Sequence, residues 1–446
     1  MADPLIFAPQ PDGTQLAIWQ DTRRTAREIA KYSTADAKVY PRFMEQMGKF
    51  SQVITGLNNM APPDLPDVGI RDLLAKRDIA TPVRTLGRKN ISQVIRIMPM
   101  SIADLLNEWF KSDIVKGAIA ASAVKDISWG PQEAGTAYLL LYNWSGSNNG
   151  LFRSSGQIKG GLGSLTQALA NSARSFGAEI LTGSEVIRII TQAGQAIGVE
   201  LANRERYSAA AVVSAVDMRT TFLKLVEPYY LDHNFVKQVQ NIKYRGTTAR
   251  VHFTLNKVPE FSAVNGGGEQ YLSGHVQIAP TMTYLQKAFD PVKYGRYSDR
   301  PYLDLQIPSL TDSSLVPEGK HLMSVTVKYM PYHMRQGDWI ELRETLRQLV
   351  VDTLSEYSPD FPQCVQEVRV TTPLEMETIY NLPEGNLSHG EMTLDQILWI
   401  RPVPGYAQYR APLQSLYLCG AATHPGGGVT GINGKNAARE IIIDWQ

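Results

Sequence analysis

Twelve residues near the C-terminus hold the chemistry that is easiest to read: Gly420-Ala421-Ala422-Thr423-His424-Pro425-Gly426-Gly427-Gly428-Val429-Thr430-Gly431. Gly426, Gly427 and Gly428 carry no side chains, so their main-chain N–H groups are open to close approach by a large planar or phosphorylated ligand. The apolar run Leu416-Tyr417-Leu418-Cys419 before them reads as a buried strand, and Ile432 to Ile443 after them reads as a helix. The start of that helix adds partial positive charge at the same place. The same strand–turn–helix pattern also serves as a plain connection, and spacing does not separate the two uses. His424 lies within the turn, and two roles are open to it. It is either an acid or base near neutral pH, or a ring that hydrogen-bonds to backbone and shapes the turn.

Other residues of suitable chemistry lie nearby in sequence. Glu384 and His389 either line a pocket or sit in a solvated loop. Arg401 either meets a phosphate or carboxylate or makes a surface ion pair. Tyr329, Tyr332 and Trp339 either wall an apolar cavity or belong to the core. Gly161-Leu162-Gly163 has Thr166 where a dinucleotide fingerprint needs its last glycine, so it reads as a tightly packed helix start.

The elements that must position these residues change in texture along the chain. The first 130 residues read as mostly helical. Asp21, Ser33, Ser101 and Ser112 stand as N-caps, Asp104 completes a capping-box-like start, and Pro62, Pro63 and Pro66 open a loop. Gly160 to Leu165 opens a helix that turns Leu165, Leu169 and Ala173 inward, and Gly177 ends it. Ala178 to Leu181 then reads as a short strand. Glu185 to Thr191 and Ala196 to Leu201 read as a hairpin, and Ala210 to Ala215 as a strand buried on both faces. Between 225 and 400, alternating strands dominate, as in Val251, Phe253 and Leu255, with an amphipathic helix from Trp339 to Leu354. The α/β texture returns at the end, so the two α/β stretches are expected to pack as one discontinuous domain.

Composition narrows the function classes. The chain has 446 residues, 43% apolar and 20% charged, enough for a large core. A net charge of +1 with no basic stripe argues against nucleic acid as a partner. Two cysteines, Cys364 and Cys419, make no disulfide framework, and seven histidines without HExxH spacing make no metal motif. The N-terminus lacks the pattern of a secretory signal, and no run approaches 18 apolar residues. A soluble, cytoplasmic protein is the expectation, with peripheral membrane contact and homo-oligomerisation left open.

Glu384-Gly385-Asn386-Leu387-Ser388-His389-Gly390 through Gln396, Arg401-Pro402-Val403-Pro404, Cys419-Gly420 and His424 to Val429 resemble the C-terminal region of phytoene desaturase-like flavoproteins. Within them the chain most resembles the branch of pyridine nucleotide-disulfide oxidoreductase domain-containing proteins. Gly160 to Leu165, on to Val186, and Lys328-Tyr329-Met330-Pro331-Tyr332 fit as well.

The resemblance implies an FAD-dependent oxidoreductase of α/β and α+β class. A discontinuous FAD domain of the glutathione-reductase type would carry an inserted mixed-sheet and helical substrate domain. In this reading 1–150 is the helical part of the substrate domain, 151–220 the middle FAD segment, 221–405 the strand-rich part and 406–446 the C-terminal FAD segment. Val186 would offer main-chain contacts to the adenine, and Ser214 and Ala215 would lie near the nucleotide half. Gly420 and Ala421 would approach the pyrophosphate and ribityl chain, while Gly427, Gly428 and Val429 would face the isoalloxazine. The implied substrate is a small apolar molecule that gives hydride to flavin N5. No catalytic residue is implied.

One departure stands against this. Relatives begin with a strand–GxGxxG–helix unit that seats the ADP half of FAD, and no GxGxxG follows a strand in these 446 residues. The first βαβ unit is therefore expected to be missing. A truncated reading frame is the simplest of three accounts, beside a separate chain that supplies the unit and a flavin-free relative that acts as a non-catalytic binding protein.

Overall fold

The computed structural model describes residues 2–62, 87, 90–125, 127–145, 147–148, 151–152, 156–264 and 268–446. They fall into two compact units: Met1–Ser51, Ser92–Phe176 and Arg245–Gly385 make the first, and Gln52–Ile91, Gly177–Tyr244 and Asn386–Gln446 the second. The proline loop expected at 62–66 lies outside the described residues apart from Pro62.

Strands β1 (Ile6–Pro9) and β2 (Gln15–Ile18) open the first unit as a hairpin. This corrects the expectation of a helical start. Ile6-Phe7-Ala8 and Leu16-Ala17-Ile18 are apolar runs of strand length about Asp12-Gly13, where Gly13 takes φ 80° and Asp12 Oδ1 accepts from Thr14 N at 2.9 Å. A short pair, β3 (Ser147–Asn148) and β4 (Leu151–Phe152), also belongs to this unit.

Its main sheet adds β9 (Thr248–Leu255), β10 (His275–Ile278), β11 (Leu303–Gln306), β12 (His321–Lys328) and β13 (Val365–Thr371). The order is β13-β9-β12-β11-β10-β1-β2, antiparallel except where β1 runs parallel to β10. Because side chains alternate, Ala249, Val251, Phe253 and Leu255 enter one core with Met323, Val325, Val327, Leu303 and Leu305. Leu346, Val350 and Leu354 of the helix Arg343–Ser355 join that core. The helix starts four residues later than the periodicity suggests, although Trp339 is buried in the same core.

Helices Thr22–Ile29 and Ile102–Trp109 begin where their caps predict: Asp21 accepts from Arg23 N, and Ser101 Oγ accepts from Asp104 N at 3.0 Å. Ser112 precedes the helix Asp113–Val124 without a side-chain cap bond. Its amide instead donates to the buried carboxylate of Asp36 at 2.8 Å. The helix Leu162–Ser175 ends before Gly177 at φ 89° as expected, but buries none of its residues, so Leu165, Leu169 and Ala173 do not turn inward.

The second unit contains a three-stranded antiparallel sheet of β5 (Val186–Gln192), β6 (Gln195–Leu201) and β7 (Arg206–Ser208), and the parallel pair β8 (Val212–Ser214) and β14 (Leu416–Leu418). The hairpin matches expectation. Glu200 on β6 accepts from Arg188 Nη2 at 2.6 Å, Arg206 Nε at 2.9 Å and Arg204 Nη1 at 3.2 Å, and hydrogen bonds led by that of Arg188 hold its carboxyl down at about 2. Two strand readings are corrected. Ala178–Leu181 forms no strand, and β8 is buried on one side only, since Val213 is 45% exposed. The core of this unit gathers Ile189, Phe222, Phe235, Val239, Leu416 and Leu418.

Candidate functional site

The carboxyl ends of two parallel strands form the base of the site. β8 and β14 pair as Val212–Leu416, Val213–Tyr417 and Ser214–Leu418, and the Cys419 amide extends the ladder by donating to Ser214 O at 2.8 Å. Ser214 and Ala215 thereby lie beside Cys419 and Gly420, where ligands of open parallel sheets bind. Gly420 takes φ 81°, and a Cβ there would stand 2.6 Å from Ala215 O, so the two strand ends meet only because this residue is glycine. Ser214 faces inward: its hydroxyl donates to Thr221 Oγ1 at 2.7 Å, which donates to the Asp217 carbonyl at 3.0 Å. Ala215 is exposed.

The turn after Gly420 is pinned from beneath by side chains that bond its carbonyls. Asn433, in the first turn of the helix Ile432–Asp444, donates through Nδ2 to His424 O and Thr423 O at 3.1 Å and to Gly426 O at 3.2 Å. Tyr409 OH donates to His424 O at 2.7 Å, and Asn436 Nδ2 bonds Tyr409 OH and Asn58 O at 3.0 Å. Arg401 clamps the turn to the preceding loop. Its guanidinium, 2% exposed, donates to the carbonyls of Ala421 (2.7 Å), Glu391 and Gln396 (both 3.2 Å), Gly390 and Ser388. Neither role expected of Arg401, contact with a phosphate or a surface ion pair, matches this placement.

With its first half buried, the turn presents its second half outward. Gly428, Val429, Thr430 and Gly431 are exposed, and Val429 is 74% exposed. A Cβ at Gly428 would meet only Thr430 Cγ2, at 3.7 Å, so space is open above the backbone; Gly427 is half-buried beside Ser388. Gly431 at φ 70° leads into the helix without a side-chain cap of its own, and the first helical amide, Ile432 N, donates to Thr430 Oγ1 at 3.3 Å. Ser214, Ala215, Gly420, Ala421, Gly427, Gly428 and Val429 all belong to this assembly of strand ends, turn and helix start. Val186 lies instead on the antiparallel sheet, half-buried and paired with Leu201.

His424 serves the turn. Its Nε2 lies 3.0 Å from Leu57 O, and burial pushes its pKa down to about 4 against the opposing pull of the Leu57 and Leu398 carbonyls. A neutral, buried ring suits the turn-shaping role rather than proton exchange. His389 sits at φ 53° with burial lowering its pKa. Glu384 belongs to the first unit, where it accepts from Arg245 N at 3.0 Å and pairs with His333 at 3.3 Å. Tyr329 and Trp339 are core residues bonded to the Trp129 and Pro331 carbonyls, and Tyr332 bonds the Glu377 carboxylate. Asn433, Asn436 and Tyr409 went unread in the sequence. The visible signal was two asparagines spaced i, i+3 on one face of a helix, a pattern that asks for buried partners.

Strand ends, bare turn and helix start together define a nucleotide- or flavin-binding oxidoreductase fold, and the chain belongs to the flavin containing amine oxidoreductase family, which matches residues 83–442. FAD is the cofactor of that family, and the exposed backbone of Gly428 to Gly431, leading into a helix, fits a planar group. Among its relatives is pyridine nucleotide-disulfide oxidoreductase domain-containing protein 2 of Rattus norvegicus, 32% identical over all of this chain and 80% of that protein. The neurosporene-forming phytoene desaturase of Cereibacter sphaeroides is 24% identical over 97% of this chain and 77% of its own length. The fold is similar to that of putrescine oxidase bound to putrescine, with a TM-score of 0.55 at 13% identity, covering 100% of this chain and 82% of that one. The non-catalytic reading is not favoured by this membership.

Proposed function

We propose that the chain is an FAD-dependent oxidoreductase of the dehydrogenase or desaturase type, acting on an apolar substrate. Bound FAD supplies at N5 the acceptor for a hydride from the substrate. The main-chain groups of Gly427, Gly428 and Val429 would hold the isoalloxazine, and the start of the helix Ile432–Asp444 would favour negative charge there. Gly420 and Ala421 would hold the pyrophosphate and ribityl chain, Ser214 and Ala215 the nucleotide half, and Val186, on the neighbouring antiparallel sheet, would meet the adenine. His424 is uncharged near neutral pH, its Nε2–H committed to Leu57 O, and acts through the shape of the turn. The substrate class is supported by the match to a phytoene desaturase, an enzyme named for a hydrocarbon.

The observation that carries the reading is the exposed backbone at 428–431 beside a turn whose carbonyls at Ala421, Thr423, His424 and Gly426 accept from Arg401, Asn433 and Tyr409. Its test is a titration of the purified chain with FAD, followed by visible absorbance and flavin fluorescence. Val429→Asp alters an exposed side chain and places a carboxylate against the reduced ring. It should weaken FAD binding at least about tenfold and lower the flavin potential. A chain that neither carries nor takes up FAD, or a V429D variant that binds FAD as the parent does, would sink the proposal.

A further inference from the structure

The main sheet of the first unit ends differently at its two sides. At one side, Leu16, Ala17 and Ile18 of β2 are buried. At the other, β13 is open: Gln366, Glu367 and Arg369 are exposed, and Val365 and Val368 are half-buried. A groove of about 300 Å³ runs beside Val368 to Thr371, with Arg343 and Arg347 also on its wall. Those two arginines are committed, to Glu375 and Glu344.

Hydrogen bonds at neighbouring strands fix which main-chain groups of β13 face outward. Asn256 N donates to Cys364 O at 2.9 Å, and Leu322 N turns away from β9 to donate to Ser309 Oγ at 3.1 Å. Leu322 stands opposite Thr254, so Thr254 bonds on its other side, to β13, and by alternation His252 and Arg250 do the same. Their partners Glu367, Arg369 and Thr371 therefore direct N–H and C=O toward β9. Val368 and Val370 direct theirs outward, and among the described residues no bond from another element reaches their main chain. An edge left open in this way is a template for a further strand.

Side chains decide which strand fits. Val368 and Val370 lie opposite Phe253 and Val251 on the core face, while Glu367 and Arg369 lie opposite Thr254 and His252 on the other. Neither Glu367 nor Arg369 has an ion pair among the described residues. The β9 neighbours of Arg369, His252 with Arg250 and Thr254 beside it, include no anion. Charges on an edge strand ordinarily block pairing. These two are of opposite sign and flank Val368 symmetrically. A second β13, antiparallel about a two-fold axis at Val368, exchanges Val368 N–H and C=O bonds with the first, as the outward groups allow. It also sets each Glu367 against the partner's Arg369 on one face, and the two Val368 side chains together on the other. With the axis at Arg369 two guanidiniums would meet, and with it at Val370 Glu367 would fall opposite Pro373. Charge thus selects one register and one occupant. We propose that this edge is a homodimer contact, in which β13 pairs with β13 of a second copy of the chain and two seven-stranded sheets become one. The contact needs neither FAD nor the flavin reading.

The full chain is followed by sedimentation velocity and equilibrium as concentration rises to on the order of 100 μM. A dimer that dissociates on dilution is expected, since one strand pair buries less area than an obligate interface. Arg369→Glu turns both cross-strand pairs into like charges and should weaken the dimer at least about tenfold. Adding Glu367→Arg to it restores unlike pairs in reverse and should return the affinity to within about threefold of the parent. Val368→Pro removes the N–H that each copy donates, leaves the β9 ladder whole and should abolish the dimer. Should Val368→Pro fail to fold, the charge series decides, because both of its positions are exposed. A parent chain monomeric throughout, a dimer unchanged in Arg369→Glu or in folded Val368→Pro, or a double variant no tighter than Arg369→Glu would overturn the proposal.

Discussion

In the first unit's main sheet, every second residue of β9 is buried against apolar neighbours, and position is set by packing. In the second unit's glycine turn, position is set by hydrogen bonds from Arg401, Asn433 and Tyr409 to main-chain carbonyls, with no side chains at Gly426, Gly427 and Gly428. The difference has a physical reason. Burial of apolar area is non-directional and tolerates small shifts, which suits a scaffold. A surface that must meet a planar ligand with its own amides needs directional support from the opposite side. The sheet should therefore fail by losing packing and the turn by losing donors.

The largest effect should come from Arg401→Met. It removes a donor from five carbonyls; Glu391 O keeps its bond from Gln396 Nε2, and the other four should cost about 1 kcal/mol or more each, or about 4 kcal/mol in all. Hydrogen exchange should quicken across 388–391 and 421–427 while the amides of β9 and β12 keep their protection. Uniform loss of protection in both units would erase the distinction.

Phe253→Ala breaks the comparison from the other side. Phe253 is fully buried, edge-on to Phe361 at a centroid distance of 5.2 Å. Truncation should cost about 4 kcal/mol in denaturant melts, with FAD affinity per folded molecule unchanged.

His424 gives a pH signature confined to the turn. Its folded pKa of about 4 lies below the ordinary value of 6.5, so the unfolded chain binds the proton first. Stability should be full above pH 6.5 and fall as pH drops from there to about 4, by about 3 kcal/mol. In His424→Gln that component should vanish from the stability–pH curve. If it persists unchanged, another group is responsible.

The smallest effect sharpens the comparison within the first unit. Thr372 caps the helix Pro373–Tyr380 in a reciprocal box with Glu375, whose Oε2 accepts from Thr372 N at 2.9 Å. Thr372→Ala should cost about 1 kcal/mol and quicken exchange only in that helix.

How much could be read in advance followed the same division. Alternation along β9 and the caps at Asp21 and Ser101 are local, and they were legible because one residue type at one spacing has one physical use. The β1–β2 hairpin carried its Asp12-Gly13 signal but was masked by the helical texture that follows. Leu165, Leu169 and Val213 misled because an apolar residue says that burial is favourable, not that a partner is present to bury it.

The sequence alone determined that bare backbone would precede a helix at 426–431, because glycine leaves no other possibility, and that a strand would lead into it. Only the tertiary structure decided that Gly420 must be glycine, since the Ala215 carbonyl 2.6 Å from its would-be Cβ comes from a strand about 200 residues earlier. It also decided that Arg401 binds carbonyls and that His275 has Asp304 behind it. Donor chemistry is written in a residue's type, but its partner is chosen by strands and loops far away in the chain, and no local spacing records that choice.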